Sequence, residues 1–577
     1  MNPESKSCQN CKSDFQIFPE DVAFLEKIST STIKFPLPTW CPDCRMQRRM
    51  VWRNERVLFS RECDFCKKKI ISMYPAGTPF PVYCHDCCWS GDWEPLEYGR
   101  DYDFSRPFFS QFKDLLNTVP RVALESYQNT NSPFTTYTWF CKNVYLSSSV
   151  LYSENIFNSP VSWNSTDVYD AYQTHHGSRV YESVNTHKCA NIMFCVESNE
   201  SLDSSFLYDC RNCNHCFMSS NLRNKSYVFR NQELSKSEYE QAMATIDLTN
   251  REVIAQLKQE FLQLKSNALH RFAVMTSTVN SSGNNLTRAK NAYHCFTSED
   301  VEDLRYSAQT LKIKDGMDLY GCGDSGELIY EGVNVGHQEA RSYFNANSFD
   351  GNNNVWYSDF CRQNCQELFG CNGLRKKQYC ILNKQYSKEA FDELRLKIFQ
   401  QMNDLPYTDT KGRVYTFGEF FPVDLTPFAY NNTIAHSYFP LTKESAEAAG
   451  FTWRVPDPPA YKVTLNGSAL SDKLGDTPED ILNQIISCAH ADAGGCTHQC
   501  TKAFRFTKDE LDFHYSMGVA LPNICLSCRF EDRLIHRMPI KLWQRTCTKC
   551  SKEIESPYEP TGPEKVYCES CYLAAVA

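Results

Sequence analysis

Between residues 143 and 195 apolar pairs return with a constant beat. NVYL at 143, NIFN at 155, DVYD at 167, RVYE at 179 and NIMF at 191 stand 12 residues apart, separated by Ser, Asn and Asp. Short β-rich units at fixed spacing predict a β-solenoid with inward Val, Ile, Phe and Tyr in stacked ladders. Two such units would make one coil. A β-sandwich of short strands fits the same pattern. DLRYS, MDLYG, ELIYE, RSYFN, NVWYS and ELFGC, from 303 to 371, repeat the theme at roughly 10 to 14 residues.

The two stretches read as copies. NCNHCFMSSNLRNKSYVFRNQELSKSEYE (212–240) aligns with NCQELFGCNGLRKKQYCILNKQYSKEAFD (364–392) at an offset of 152, and each passes into a Ser-Lys-x-x-aromatic helix start. NREVIAQLKQEFLQLKSNALHR (250–271) predicts an amphipathic helix with Val253, Leu257, Phe261 and Leu264 along one side. Such a helix suits the covering of a solenoid end. The aromatic, proline-broken stretch 412–454 needs something to pack against, either a solenoid face or a partner.

Cysteine changes the picture at both extremities. Of 30 cysteines, nine lie within the first 88 residues, nine after residue 487 and twelve between. Cys8/Cys11, Cys41/Cys44, Cys63/Cys66 and Cys84/Cys87 are matched by Cys496/Cys500, Cys525/Cys528, Cys547/Cys550 and Cys568/Cys571, the last three pairs of each set at an offset of 484. Two close thiolate pairs make a closed tetrahedral Zn2+ site, so about four structural ions are expected. The start, MNPESKSCQNCKSDF, lacks a secretory pattern, which points to the cytoplasm and to thiolate–metal chemistry over disulfides. Within each module, CPDCRMQRRM reads as a knuckle running into a helix, like a treble clef. KKKIISMYP and PFPVYC read as the strands of a zinc ribbon. Consecutive pairs sharing a metal is the simplest arrangement; cross-braced pairing is the alternative. The Cys496-x3-Cys500 spacing departs from the rest, and Cys488 or His498 is a substitute ligand there.

The predicted organisation is mixed, mainly β. It comprises module A (1–95), a helical linker (96–135), solenoid half 1 (136–232), a helical insert (233–285), half 2 (286–382), a helix with the aromatic segment (383–460), a polar linker (461–487) and module B (488–577). LPTWCPDCRMQRRM, RDYDFSRPFFSQF, GEFFPVDLTPFAYN and YFPLTKE together resemble a group of uncharacterised tandem zinc-ribbon proteins of small-genome bacteria. The resemblance runs along nearly the whole chain and implies no activity.

Arginines at 45, 49 and 53, with 61 beyond, recur as 529, 533, 537 and 545. Four-residue spacing puts the first three of each set on one helix face, a candidate reader of phosphate backbone in RNA, DNA or a nucleoprotein. The opposing reading is a solvated face paired with acids, since residues 1–100 carry 14 basic and 13 acidic side chains and the whole chain is −9. The alternatives are a protein-interaction scaffold using the aromatic segment and solenoid faces, and a carbohydrate-active enzyme with Asp167, Asp170, Asp318 and Asp359 in a groove. No phosphate loop, dinucleotide fingerprint, GxSxG or HExxH motif is present, and no run of about 18 apolar residues suggests a membrane span. Cys210, Cys213 and Cys216, with Cys361, Cys365, Cys371 and Cys380, are read first as core packing, then as a further metal site.

Overall fold

A computed structural model describes residues 3–576 apart from 334, 335, 337, 347–350, 458–460, 495 and 497. Strands of half 1 pair in parallel with the segment 12 residues on: Ile156 with Val168, Val168 with Val180, Val180 with Ile192. One 12-residue unit is therefore a whole coil, not half of one. The reason is a finer period. From Tyr137 to Arg230 a residue in every three has positive φ, near +50°. Each tripeptide thus turns a corner, and four tripeptides close a coil.

The residue after each corner points inward. Val144, Ser147, Val150, Ser153, Ile156 and Ser159 are all buried, and the same step continues along the half. Val, Ile, Leu and Cys join serine on these inward columns, whereas Phe157, Tyr169 and Tyr181, expected inward, belong to a separate cluster with Phe513 and Phe530. The inward serines also join coils: Ser159 Oγ donates to the Phe157 carbonyl at 2.7 Å and accepts the Ala171 N–H at 2.9 Å. Left-handed backbone is costly for most L-residues but least so for Asn and Asp, and these recur at the corners. There they stack: Asn131, Asn143 and Asn155 each donate a side-chain amide to the next oxygen in line, ending on Asp167, at 2.8–2.9 Å.

Half 2 begins on the 12-residue step, with Phe296 opposite Ala308, and then lengthens to 13. Leu368 opposite Cys380 restores 12. Inserted residues explain its uneven sequence rhythm. Each half ends in a reversed strand and a serine-capped helix. Ser235 caps Lys236–Met243 and Ser387 caps Lys388–Asp404, with Tyr227–Tyr239 and Tyr379–Phe391 each 5.9 Å apart. These positions correspond at the 152-residue offset.

The halves lie side by side and antiparallel. Half 1 begins ahead of residue 136, with Ser126–Tyr127 pairing in parallel inside the stretch read as a helical linker. Glu125 beside it meets Arg362 near the end of half 2, while Gln173 donates to Thr297 further along. The Arg251–Asn267 helix buries Ile254, Leu257 and Phe261, with Phe261 5.9 Å from Phe206 of half 1. The aromatic segment covers half 2 and module A: Phe417 packs on Trp356 and Phe35, and Phe421 on Tyr357 and Trp52. The 461–487 segment is not a free linker. Leu470, Leu474, Ile481 and Ile486 are buried with Phe504 and Cys525 in the core of module B. Among the described residues no helix is long and apolar enough to cross a membrane.

Candidate metal centres

Each module places four sulfurs together twice. The groups are Cys8, Cys11, Cys41 and Cys44; Cys63, Cys66, Cys84 and Cys87; Cys488, Cys500, Cys525 and Cys528; and Cys547, Cys550, Cys568 and Cys571. Consecutive pairs converge. A tetrahedral ion with metal–sulfur bonds of about 2.3 Å sets sulfurs about 3.8 Å apart. The Cys11–Cys41, Cys66–Cys84, Cys500–Cys525 and Cys550–Cys568 separations are 3.7, 3.9, 3.6 and 3.7 Å.

Local structure holds the ligands in place. Cys41 and Cys525 are the N-caps of the Pro42–Met50 and Leu526–Leu534 helices, and Pro42 takes the first turn, where a missing N–H costs nothing. The second cysteine of each pair, Cys44 or Cys528, then lies within that turn. Phe59–Glu62 pairs antiparallel with Lys69–Ser72 around Cys63 and Cys66, and Trp543–Thr546 with Glu553–Ser556 around Cys547 and Cys550, whereas Val82–Tyr83, expected in the same hairpin, pairs with Arg121–Val122. In every cluster the first sulfur accepts the third cysteine's N–H: Cys41 to Cys8, Cys84 to Cys63 and Cys525 to Cys488 at 3.2 Å, and Cys568 to Cys547 at 3.3 Å. These bonds favour thiolate at the ligand.

Cys488 holds the place expected for Cys496. Where module A closes its first knuckle as Cys8-x2-Cys11, module B spans Cys488-x11-Cys500. The insertion carries His490, Cys496 and His498. These form a fifth group with Cys528, all ligand atoms lying within 4.8 Å of one another.

The solenoid cysteines do other work. Cys210, Cys213, Cys216, Cys361, Cys365, Cys371 and Cys380 are buried on inward columns. They take the serine geometry, the Cys210 thiol facing the Tyr208 carbonyl at 3.5 Å and Cys371 that of Phe369 at 3.5 Å. Burial pushes the Cys189 thiol up to about 11 and the Cys380 thiol up to about 12. Buried thiols packed as serine isosteres on the inward columns account for the twelve central cysteines.

The arginine stripe points into the protein, which corrects the expectation of a phosphate-facing helix. Arg45 Nε and Arg49 Nη1 reach Asp318 of half 2 at 2.8 and 3.2 Å, and all three side chains are buried. Arg529 Nη1 and Arg533 Nη1 reach Asp170 of half 1 at 2.6 and 2.9 Å, again fully buried. Asp170 and Asp318 occupy equivalent corners, each five coils before its half's end. Burial would raise the Asp170 carboxyl, but Arg529 and Arg533 outweigh it and hold it below the usual carboxylate range. The stripe is therefore a dock, and each module docks on the half farther from it in sequence.

The other four arginines are also engaged. Arg53 lies between the Tyr137 and Tyr320 rings at 4.5 and 5.5 Å, bridging the halves. Arg537 stacks on Tyr438 at 3.7 Å. Arg61 and Arg545 donate within their own modules, to the Pro75 carbonyl at 2.8 Å and the Glu559 carbonyl at 3.2 Å. Arg48, which the stripe omitted, clamps Glu331 at 2.9 Å and Glu419 at 2.8 Å. Of the four aspartates considered for sugar chemistry, Asp170, Asp318 and Asp359 are buried in arginine pairs, Asp359 with Arg121 at 2.8 Å, and Asp167 ends the amide ladder.

One titration follows from the module B dock. His514 is fully buried, edge-on to Tyr181 at 5.1 Å, with Nδ1 3.2 Å from the Val519 carbonyl. Burial, aided by Arg529, pushes its pKa from 6.5 down to about 4. The folded state excludes a proton that the unfolded chain binds, so this contribution is complete above pH 6.5 and lost as pH falls toward 4. At about 1.4 kcal/mol per pH unit it amounts to about 3 kcal/mol. Denaturant unfolding between pH 7 and 4.5 should show a shallower loss for His514→Gln than for the wild type, since acid acts on the metal clusters of both.

A scan against protein-family models finds no match, and neither a search of curated proteins nor one of solved structures finds a match to this chain.

Proposed function

We propose that the chain is a zinc-stabilised, non-catalytic scaffold that binds other proteins, each module pairing a treble-clef-like finger with a zinc ribbon. Zinc suits all-thiolate tetrahedral sets, and four protein ligands close the shell, leaving no position for substrate. The observation that carries the binding reading is an exposed aromatic stack on the outer face of half 1. Tyr127, Phe140 and Tyr152 are 43, 42 and 54% exposed. Phe140 and Tyr152 stand 5.1 Å apart and 3° from parallel, with Tyr127 edge-on to Phe140 at 5.7 Å. Consecutive coils hold these rings rigidly, so an apolar strip is presented with little ordering cost.

Nucleic-acid binding remains the alternative, but the arginines that motivated it are occupied by the protein's own carboxylates. A photo-crosslinking residue at Phe140 in cells tests both readings. A discrete protein adduct that survives nuclease, and is lost in Tyr127→Ala/Tyr152→Ala, supports the scaffold. Nuclease-sensitive adducts, or no adduct, overturn it.

A further inference from the structure

We propose that module B holds two metal ions bridged by the Cys528 thiolate, the second bound by His490, Cys496 and His498. The inference rests on the zinc reading of the thiolate clusters and adds a site of different chemistry to it. Cys528 Sγ lies 3.7 Å from Cys488 Sγ and 3.7 Å from Cys496 Sγ. Both separations are tetrahedral edges, so one sulfur stands at the corner of two adjoining tetrahedra. A thiolate has lone pairs for two ions. Charge favours the sharing: four thiolates leave a first zinc at net −2, and a second zinc with one further thiolate and two neutral imidazoles brings the pair to −1.

Module A supplies the internal contrast. Its knuckle lacks the insertion, so no counterparts of His490, Cys496 and His498 exist there. One further exchange distinguishes the modules. Where Arg48 of module A binds Glu331 and Glu419, the matching residue of module B at the 484-residue offset is Asp532. Asp532 lies 3.9 Å from His498 Nδ1, a buried nitrogen with no hydrogen-bond partner. A carboxylate set behind a ligating imidazole is the usual orienting partner in zinc sites. An arginine there would repel the second ion, so the Arg-to-Asp difference and the three inserted ligands point the same way.

The bridged site should differ in lability. Its bridging sulfur is shared between two ions, and His490, Cys496 and His498 are half-buried, whereas each of the other clusters has four thiolates. The second ion should therefore leave before the other four.

Elemental analysis of the full chain, purified in zinc-buffered solution and desalted, is expected to give five zincs, and the His490→Asn/His498→Asn variant four. A chromogenic chelator at neutral pH should remove one zinc from the wild type in a fast phase that the variant lacks. Circular dichroism of the two proteins should superimpose, because the four-thiolate clusters are untouched. Four zincs in the wild type, or equal counts in wild type and variant, overturns the bridged pair while leaving the structural zinc reading intact. A wild type without zinc overturns that reading as well.

Discussion

Asp318→Ala is expected to lower the stability of the folded chain by about 3–5 kcal/mol and to free module A from half 2. Removing the acid leaves buried Arg45 without its carboxylate partner and Arg49 with only the longer 3.9 Å contact to Glu331. A poorly compensated buried charge is among the costliest single defects. The same change at Asp170 leaves Arg533 without its carboxylate and Arg529 with only Glu510 of its own module, at 2.8 Å. The two should not behave alike. Module A keeps the Arg48 clamp on Glu331 and Glu419, whereas module B has Asp532 at that position. Limited proteolysis should therefore release module B from Asp170→Ala sooner than module A from Asp318→Ala. Denaturant titration gives the magnitude. Replacing Arg45, Arg49 and Asp318 together by apolar residues of similar volume should recover most of the loss, because it is the broken set and not its absence that is costly. Equal, unperturbed unfolding of both single variants would show that the docks contribute nothing.

Metal removal should have the larger effect. Binding free energy at structural zinc sites of small peptides is about 10–16 kcal/mol per ion and is folding free energy. The clusters also begin the docking helices, since Cys41 and Cys525 are their N-caps. Stripping the ions with a strong chelator in mild denaturant should therefore melt the helices that carry Arg45, Arg49, Arg529 and Arg533, and both docks should fail together with the clusters. Near-ultraviolet circular dichroism should collapse while much of the strand signal of the solenoid persists, because its coils are joined by serine and backbone bonds that involve no metal. Retention of the full tertiary spectrum after removal of all zinc would overturn the structural role.

The sequence carried the large periods but hid the small one. The 12-residue beat was visible because Val and Ile stand on one inward column. The three-residue beat beneath it was not, because the other columns alternate Ser, Thr and Cys with apolar residues, and serine reads as a turn residue facing water. The corners of half 1 also lack the glycine that usually marks positive φ. Asn, Asp, Gln, Glu and even Phe take it instead, held by the coils above and below. Helical spacing correctly grouped Arg45 with Arg49 and Arg529 with Arg533, but Arg53 and Arg537 fall beyond the ends of the Pro42–Met50 and Leu526–Leu534 helices. The spacing gave no sign of which way the pairs faced, because Asp318 lies 273 residues from Arg45. Regular spacing found both four-cysteine groups that the fold brings together in module A. In module B the inserted segment moved the first ligand to Cys488, beyond the reach of a C-x2-C search, and supplied three further donor side chains that the search did not group.

The crossed docking has a consequence for how the chain is made. During synthesis from the first residue onward, half 1 emerges with Asp170 in place, and its partner Arg529 follows only 359 residues later. At about 5–20 residues per second that interval is on the order of 20–70 seconds. Throughout it, the nascent half presents an unanswered carboxylate and the bare aromatic wall on which Phe513 later stacks against Tyr169. Fragments lacking the last module should thus be prime clients for chaperones and proteases. Closure over half 1 waits on residues 488–577.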